Sequence, residues 1–281
     1  MQEATLKLFE KGILMPLIDV NGTQINYLDE GPKSAPAIIF STSMFFDVDM
    51  FEEQAKTFAD RFRVIRYDHR GQGKSAPSPR SQLDMETLTK DAEALMEALE
   101  ISKCCFVGNS MGGFIGLRLA ARRSDIVTSA VILGSSADAE VSVGEMDTVV
   151  EVMLEHGIEP VLEDILFFML GDTTLNDPSR SAIKQRVIQM LKTRTPNYAD
   201  SVWNIAHREA ISDELSKINI PVWIVAGDED HTYPPEHSKR IAEGISNSKY
   251  FLMEKTGHVH AMENPSAVCD LLSAHLEEVS H

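Results

Sequence analysis

Five short runs rich in apolar residues recur along the chain, and stretches of helical length separate them. The runs span residues 37–41, 63–67, 104–108, 127–134 and 221–227, with helix-length stretches at 50–60, 84–99 and 111–123. A strand that is apolar on both faces is typical of a parallel sheet covered by helices on either side. Alternation of strands and helices indicates right-handed βαβ units. The sequence therefore predicts an α/β fold with a doubly wound, mostly parallel β-sheet.

The alternation stops between residues 138 and 217, where the pattern is helical throughout. Pro178 and Pro196 interrupt this stretch and divide it into separate helices. An insertion of about 80 residues is too long for an ordinary loop. We therefore expect a helical cap at 138–217, inserted after the sixth strand, above a core formed by residues 16–137 and 218–281.

The N-terminal part of the chain predicts a β-hairpin and no targeting signal. Asn21-Gly22 separates two runs of apolar and β-branched residues at 17–20 and 23–29, which is a strong hairpin signal. Residues 1–15 form an extension that lacks the apolar segment and cleavage site of a secretory signal. No run approaches the ~18–20 apolar residues that span a bilayer. We expect a cytoplasmic protein.

The charge balance narrows the classes of partner. The chain has 43 acidic and 26 basic residues and a formal net charge of −17. Nucleic-acid binding needs clustered Lys and Arg, and anionic membranes attract basic segments, so neither partner is expected. The three cysteines, Cys104, Cys105 and Cys269, do not make a disulfide framework. No metal-binding motif is present, and no cofactor is expected.

One short motif resembles a phosphate-binding loop without meeting its requirements. Gly73-Lys74-Ser75 has the right ending, but the motif needs a glycine five residues before Gly73, and Asp68 stands there. Gly71 and Gly73 also lack the third glycine of a dinucleotide fingerprint. We therefore expect a tight turn here, near the edge of the sheet where the active site is expected.

The motif that carries chemistry is Gly108-Asn109-Ser110-Met111-Gly112, which has the pattern G-x-S-x-G. An apolar strand precedes it and a helix follows it, as a nucleophile elbow requires. A strand that turns sharply into a helix strains the serine backbone and needs small residues two positions on either side. The turn also aims the hydroxyl at a helix N-terminus, which stabilises negative charge. The sequence thus predicts Ser110 as a nucleophile.

At this point the chain resembles the α/β-hydrolase family, from about residue 16 to residue 275. Besides the elbow, RYDHRGQGKS at 66–75 is similar to the family's D-x-R-G-x-G-x-S signature. The segments AGDED at 226–230 and TGHVHAMENP at 256–265 look like its acid and histidine segments. FSTSMFFDVDMF at 40–51 departs from the common His-Gly and is more similar to the 3-oxoadipate enol-lactonase branch.

The resemblance implies partners for Ser110 in the order serine, acid, histidine. His258 is the preferred base among nine histidines, with His260 as its competitor. Asp230 is the preferred acid, because it stands three residues after Gly227 in the family's G-x-x-D-x-x-x-P pattern. Asp228 and Asp138 stay open as alternatives.

The oxyanion hole is expected to combine the amide of Met111 with a second amide from the loop after residues 37–41. The resemblance places that second donor at Ser43, with Met44 as the alternative. Candidate residues for an apolar substrate pocket lie in the same loop and in the cap: Met44, Phe45, Phe46, Phe167 and Trp203.

A serine nucleophile with an oxyanion hole predicts acyl transfer, whereas dehalogenases and epoxide hydrolases need a carboxylate there. The first hypothesis is therefore a hydrolase of a small apolar carboxylic ester or lactone, acting through a Ser-His-Asp triad. Hydrolysis of a carbon–carbon bond or perhydrolysis by the same triad is a second hypothesis. A small-molecule receptor that retains the fold is a third.

Overall fold

A computed structural model describes residues 17–280, whose strands form one eight-stranded sheet. Across the sheet the strands lie in the order β1-β2-β4-β3-β5-β6-β7-β8. All pairings from β4 to β8 are parallel, which confirms the predicted α/β sheet. The strands are β1 (Leu17–Val20), β2 (Thr23–Glu30), β3 (Ala37–Ser41), β4 (Arg63–Tyr67), β5 (Cys104–Asn109), β6 (Val127–Leu133), β7 (Val222–Gly227) and β8 (Ser248–Met253).

The antiparallel part of the sheet is the predicted hairpin and its neighbour. β1 pairs with β2, and β2 with β4, in antiparallel register. Asn21 and Gly22 both have positive φ, 45° and 73°, as the favoured two-residue hairpin turn requires. The predicted extension at 1–15 lies outside the described residues.

The central strands are buried on both faces because helices cover the sheet. Every residue of β3, β5 and β7 is buried. Helix α3 packs against β3, β5 and β6, while α1 packs against α11. The α-helices are α1 (Glu52–Phe58), α2 (Met85–Ala98), α3 (Met111–Arg122), α4 (Val143–His156), α5 (Leu162–Met169), α6 (Asp172–Asn176), α7 (Ser181–Lys192), α8 (Tyr198–Ala206), α9 (Pro235–Gly244), α10 (His260–Glu263) and α11 (Pro265–Val279).

Short 3-10 helices complete the secondary structure. One of them immediately precedes α1, so the helical stretch predicted at 50–60 begins earlier and ends at Phe58. The 3-10 segments are Val48–Phe51, Arg80–Gln82, Glu159–Val161, Pro178–Arg180 and Ser212–Lys217.

Between β6 and β7 the chain forms helices α4 to α8 and turns, with no strand at 134–221. We call residues 138–217 the cap. Its α5–α6 junction is hydrogen-bonded to the loops that follow β7 and β8 and to α10. The amide of Gly171 donates to Glu263 (2.9 Å), the amide of Thr173 donates to Glu229 (2.7 Å), and Met169 accepts from the Val259 amide (3.2 Å). No helix within residues 17–280 is both long and apolar enough to cross a bilayer.

Candidate active site

Ser110 stands at the sharp turn between β5 and α3. Its backbone has φ 53° and ψ −111°, a region that a residue with a Cβ adopts only at a cost of ~1–3 kcal/mol. The glycines on either side explain how the turn fits. A Cβ on Gly108 would lie 2.2 Å from the Gly112 carbonyl oxygen, and one on Gly112 would lie 2.1 Å from the Ser41 oxygen. The local sequence therefore forces the strained geometry expected of a nucleophile elbow.

The N-terminus of α3 places an unpaired amide beside the serine. Met111 is the first residue of α3, and the first amides of a helix have no partner within it. The Gly112 amide is already occupied, because it donates to the Thr42 carbonyl at 3.0 Å. The Met111 amide lacks an acceptor within residues 17–280. It is therefore free to donate to an anionic oxygen, with the helix dipole adding to the effect.

His258 and Asp230 form a buried pair. The His258 Nδ1 atom lies 2.9 Å from Asp230 Oδ2 and 3.1 Å from Oδ1. The amides of Thr232 and Tyr233 each donate to Oδ1 at 2.9 Å. The three donors hold the carboxylate in one orientation, and the carboxylate in turn fixes the proton of His258 on Nδ1.

The second ring nitrogen of His258 makes no hydrogen bond within the described residues. Its Nε2 atom is buried and has no hydrogen-bond partner among the described residues. The backbone of His258 is joined to the elbow, because Asn109 Nδ2 donates to the His258 carbonyl at 3.0 Å. Since Asn109 directly precedes Ser110, this bond fixes the histidine loop against the serine turn. The unpaired Nε2 is in the state that a base for a neighbouring hydroxyl requires.

The competing residues have other partners. His260 Nδ1 donates to the His258 carbonyl (3.0 Å), and burial lowers the pKa of His260, so its ring is neutral. Asp228 is exposed and accepts from the Thr256 amide at 3.3 Å. Asp138 is paired with Arg240 at 2.9 Å, on a half-exposed part of the cap's first turn. None of these three contacts resembles the buried His258–Asp230 pair.

In the loop after β3, the amides of the two predicted second donors differ in their partners. The Ser43 amide donates to the Met50 sulfur at 3.4 Å, and Phe46 donates back to the Ser43 carbonyl at 3.2 Å. The Met44 amide has no acceptor among the described residues. Phe45 follows with a positive φ of 72°, so the loop turns sharply at this point. Of the two predicted second donors, the geometry leaves Met44 available and Ser43 occupied.

Residues 36–265 match a family of proteins with the alpha/beta hydrolase fold. The chain belongs to the α/β-hydrolase fold family. The matched range includes the elbow and the buried acid–histidine pair. It also includes strands β3 to β8, whereas β1 and β2 lie before it.

Relatives in this family include 3-oxoadipate enol-lactonases, which confirms the resemblance noted in the sequence. The chain is 26% identical over 246 residues to 3-oxoadipate enol-lactonase 2 of Acinetobacter baylyi, covering 86% of this chain and 89% of the relative. The structure of an enol-lactonase from Burkholderia xenovorans superposes with a TM-score of 0.85 at 26% identity, covering 93% and 100%. A thermophilic esterase from Thermogutta terrifontis shares the fold, with a TM-score of 0.85 at 22% identity over 95% and 98%.

Within this hydrolase fold, a residue that sequence reasoning missed lies beside the elbow. Gly71 and Gly73 form the expected tight turn, with φ of 76° and 54°. Gln72 between them is buried, and its Nε2 lies 3.4 Å from the Met44 sulfur and 3.7 Å from the Met111 sulfur. Its Oε1 has no partner in the described part of the chain. The RYDHRGQGKS segment at 66–75 predicts only a tight turn here, and the position of Gln72 beside the elbow depends on the fold.

A second missed residue is Tyr233, three residues after Asp230. Its ring packs edge-to-face on the His258 imidazole with centroids 5.6 Å apart, and its hydroxyl donates to Glu140 at 3.3 Å. Burial raises the pKa of Tyr233, so the phenol stays neutral. The Tyr233 ring therefore packs against the His258 imidazole and restricts its movement.

The predicted pocket residues divide into two groups. Met44, Phe45 and Phe46 are buried in the loop after β3. Phe167 is 45% exposed and stacks on His231 at the cap surface, and Trp203 stacks on His207. The described contacts do not link Phe167 or Trp203 to Ser110, and their lining role stays a prediction.

The remaining reactive groups have no catalytic arrangement. Cys104 and Cys105 are buried in β5, and burial raises the pKa of the Cys105 thiol to about 12. Within residues 17–280 no cluster of His, Cys, Asp and Glu is arranged to hold a metal ion.

Proposed function

We propose that the protein is a serine hydrolase that cleaves a small carboxylic ester or lactone through an acyl-enzyme intermediate. The observation that carries the proposal is the state of His258. Its Nδ1 is held by a buried carboxylate, its Nε2 is unpaired, and its backbone is bonded to the residue before a strained serine. This combination supports general-base activation of Ser110.

In the first half-reaction, Ser110 Oγ attacks the substrate carbonyl and its proton moves to His258 Nε2. The tetrahedral intermediate collapses when His258 returns that proton to the leaving oxygen, which gives an alcohol and an acylated Ser110. In the second half-reaction, water attacks the acyl group with the same base, and the acid is released. With a lactone, the leaving hydroxyl is part of the acyl chain, so deacylation by water releases a single hydroxy acid.

Asp230 stabilises the imidazolium that forms in each half-reaction. Its carboxylate keeps the Nδ1 proton in place and so leaves Nε2 as the acceptor. The two backbone amides on Oδ1 hold the carboxylate still during these proton transfers.

We further propose that the oxyanion is held by the amides of Met111 and Met44. Ser43 is disfavoured because its amide already donates to the Met50 sulfur. Loss of one such donor typically costs ~10²–10³ in turnover. The amide proposed as the second donor should therefore have a measurable effect on turnover.

The substrate class follows from the chemistry of the site and from the relatives. Ser110 is 4% exposed and His258 is 1% exposed, so both residues are largely shielded from solvent, which favours catalysis with little bulk water present. Buried methionine and phenylalanine side chains in the loop after β3 favour a modest apolar acyl group or ring. The relatives are named as an enol-lactonase and an esterase, which supports both ester and lactone substrates.

The test is a substrate panel with wild type and Ser110→Ala. p-Nitrophenyl butyrate reports ester hydrolysis, and a set of five- and six-membered lactones, including acyl-homoserine lactones, reports ring opening. We expect wild type to hydrolyse one class and Ser110→Ala to lose at least ~10³-fold of that activity. A protein that binds these compounds without turning them over is a receptor, and that result would overturn the proposal.

A further inference from the structure

One arginine of the cap reaches down to the loop that carries the Met44 amide. Arg194 lies just after α7, and its Nε donates to the Phe45 carbonyl at 2.6 Å. Its Nη2 donates to Asp47 Oδ2 at 2.9 Å. The side chain is only 6% exposed. A single guanidinium therefore holds both ends of the segment that follows Met44.

Tyr198, which follows Arg194 in the cap, contacts the same region. The Tyr198 hydroxyl accepts from the Gly73 amide at 2.7 Å, and its ring lies parallel to Phe45 with centroids 6.3 Å apart. The Arg194 guanidinium covers the Tyr198 ring at 5.5 Å. The cap thus contacts the loop after β3 and the loop after β4, which are the two loops beside the predicted oxyanion hole.

The loop that Arg194 holds contains a strained turn. The Phe46 amide closes a tight turn on the Ser43 carbonyl. Phe45 is the third residue of that turn, with φ of 72°, a position where glycine is normally used because a side chain strains the backbone. A charge-assisted hydrogen bond to the strained residue's carbonyl is about twice as strong as a neutral one. Arg194 supplies that bond at the residue next to Met44.

We propose that Arg194 is a positioning residue that holds the turn at 43–46, and with it the Met44 amide, in the geometry of the oxyanion hole. This inference rests on the proposed function for its kinetic consequence. It implies that the hole is complete only when the cap is seated on the core.

The cap contains a matched control for this contact. Arg186 of α7 also crosses to the core, where its Nη2 donates to the Asp49 carbonyl at 3.0 Å and to Glu52 at 2.9 Å. It bonds one carbonyl and one carboxylate, as Arg194 does, but at the helix that follows the loop rather than at the turn. Arg194→Ala and Arg186→Ala therefore both remove a cap–core arginine, and only the first touches the oxyanion loop.

Two readouts test the inference. The first is steady-state kinetics on the best ester or lactone, with and without millimolar guanidinium ion as a replacement for the missing group. Because partial loss of an oxyanion donor acts on the transition state, kcat of Arg194→Ala should fall about 10- to 100-fold with KM changed less than about 3-fold. Guanidinium should restore part of this kcat, whereas Arg186→Ala should keep wild-type kcat and show no response.

The second readout is hydrogen exchange of the peptide covering residues 42–47, which needs no substrate. We expect this peptide to exchange faster in Arg194→Ala than in wild type or Arg186→Ala. Unchanged exchange, or an equal loss of kcat in both variants without guanidinium rescue, would overturn the positioning role. A wild type that hydrolyses no ester or lactone would refute the proposed function alone, since the exchange result still decides whether Arg194 holds the loop.

Discussion

The Nδ1 atom of His258 lies 2.9 Å from Oδ2 of Asp230, and the two residues are 1% and 3% exposed. In this enclosed environment an ion pair between imidazolium and carboxylate is much less screened than in water. The pair is therefore suited to stabilise the charge that His258 would gain in the proposed proton transfer from Ser110. The amides of Thr232 and Tyr233 keep the carboxylate from turning away.

Replacing Asp230 with Asn should inactivate the protein without unfolding it. The asparagine oxygen can still accept from the amides of Thr232 and Tyr233, but its NH₂ group faces Nδ1 and forces the proton onto Nε2. A histidine in that tautomer cannot act as the base, and the expected loss of kcat is ~10⁴. Ester or lactone turnover measures the rate, and thermal unfolding serves as the control for folding. A loss of less than 10-fold in a folded variant would contradict the assigned role of Asp230.

The elbow should tolerate no side chain at Gly112. A Cβ there would lie 2.1 Å from the Ser41 carbonyl oxygen, and neither backbone can move without disturbing β3. We expect Gly112→Ala to lower the free energy of unfolding by several kcal/mol, about 3 or more. Gly144→Ala is the matched control, because nothing lies within 4 Å of its Cβ. Urea unfolding should show that Gly144→Ala, within α4, is as stable as wild type or more stable by ~0.5–1 kcal/mol.

His275 should make the protein sensitive to acid. Burial lowers its pKa to about 4, with Lys249 nearby acting in the same direction and Glu278 opposing it. Between pH 4 and 6.5 the unfolded chain binds the proton and the folded chain does not, so the stability falls as the pH drops through that window. The contribution is on the order of 3 kcal/mol.

Because both ring nitrogens of His275 lack a partner in the described structure, His275→Leu loses no hydrogen bond. We expect its unfolding free energy to match wild type at pH 7 and to exceed it at pH 5. Chemical denaturation at the two pH values measures the difference. His69, whose pKa burial also lowers to about 4, remains in both proteins and sets the residual dependence. Equal losses in wild type and His275→Leu would contradict the prediction.

Glu263 should have the opposite dependence on pH. Its Oε2 accepts from the Gly171 amide at 2.9 Å, its Oε1 has no partner among the described residues, and burial raises the pKa of the carboxyl. A group with a raised pKa in the folded state loses stability as the pH rises through that value. Glu263→Gln keeps the acceptor and removes the buried charge, so it should be more stable than wild type at pH 8 and similar at pH 4.5. Glu263→Ala, which removes the acceptor for Gly171, should be less stable at both pH values.

The sheet could be predicted because short runs of apolar residues mark its strands in the sequence. The apolar runs that form β3 and β4 match their predicted bounds at 37–41 and 63–67, and Asn21-Gly22 forms the predicted hairpin turn. Helix α9 at Pro235–Gly244 was not predicted. Its sequence is mostly polar and only Ser238 and Ile241 are buried, so no run of apolar residues marks it.

The details of the site depend on contacts between distant parts of the chain, which one sequence does not display. The proposed preference for Met44 over Ser43 rests on the sulfur of Met50, which accepts from the Ser43 amide. The hydrogen bond from Arg194 to the Phe45 carbonyl joins residues 149 positions apart. Phe167 and Phe46 look alike in the sequence, yet one is on the surface and the other is fully buried. Position along the chain does not distinguish such residues, whereas packing does.

The role of Ser110 as the nucleophile can be tested by its reaction with a fluorophosphonate. Such a reagent forms a covalent bond with an activated serine, and intact-mass measurement followed by peptide mapping identifies the site. We predict one adduct per chain, on Ser110, with none on Ser110→Ala and none on wild type that has been unfolded in advance. Absence of labelling on the folded wild type, or an adduct that persists in Ser110→Ala, would contradict the account.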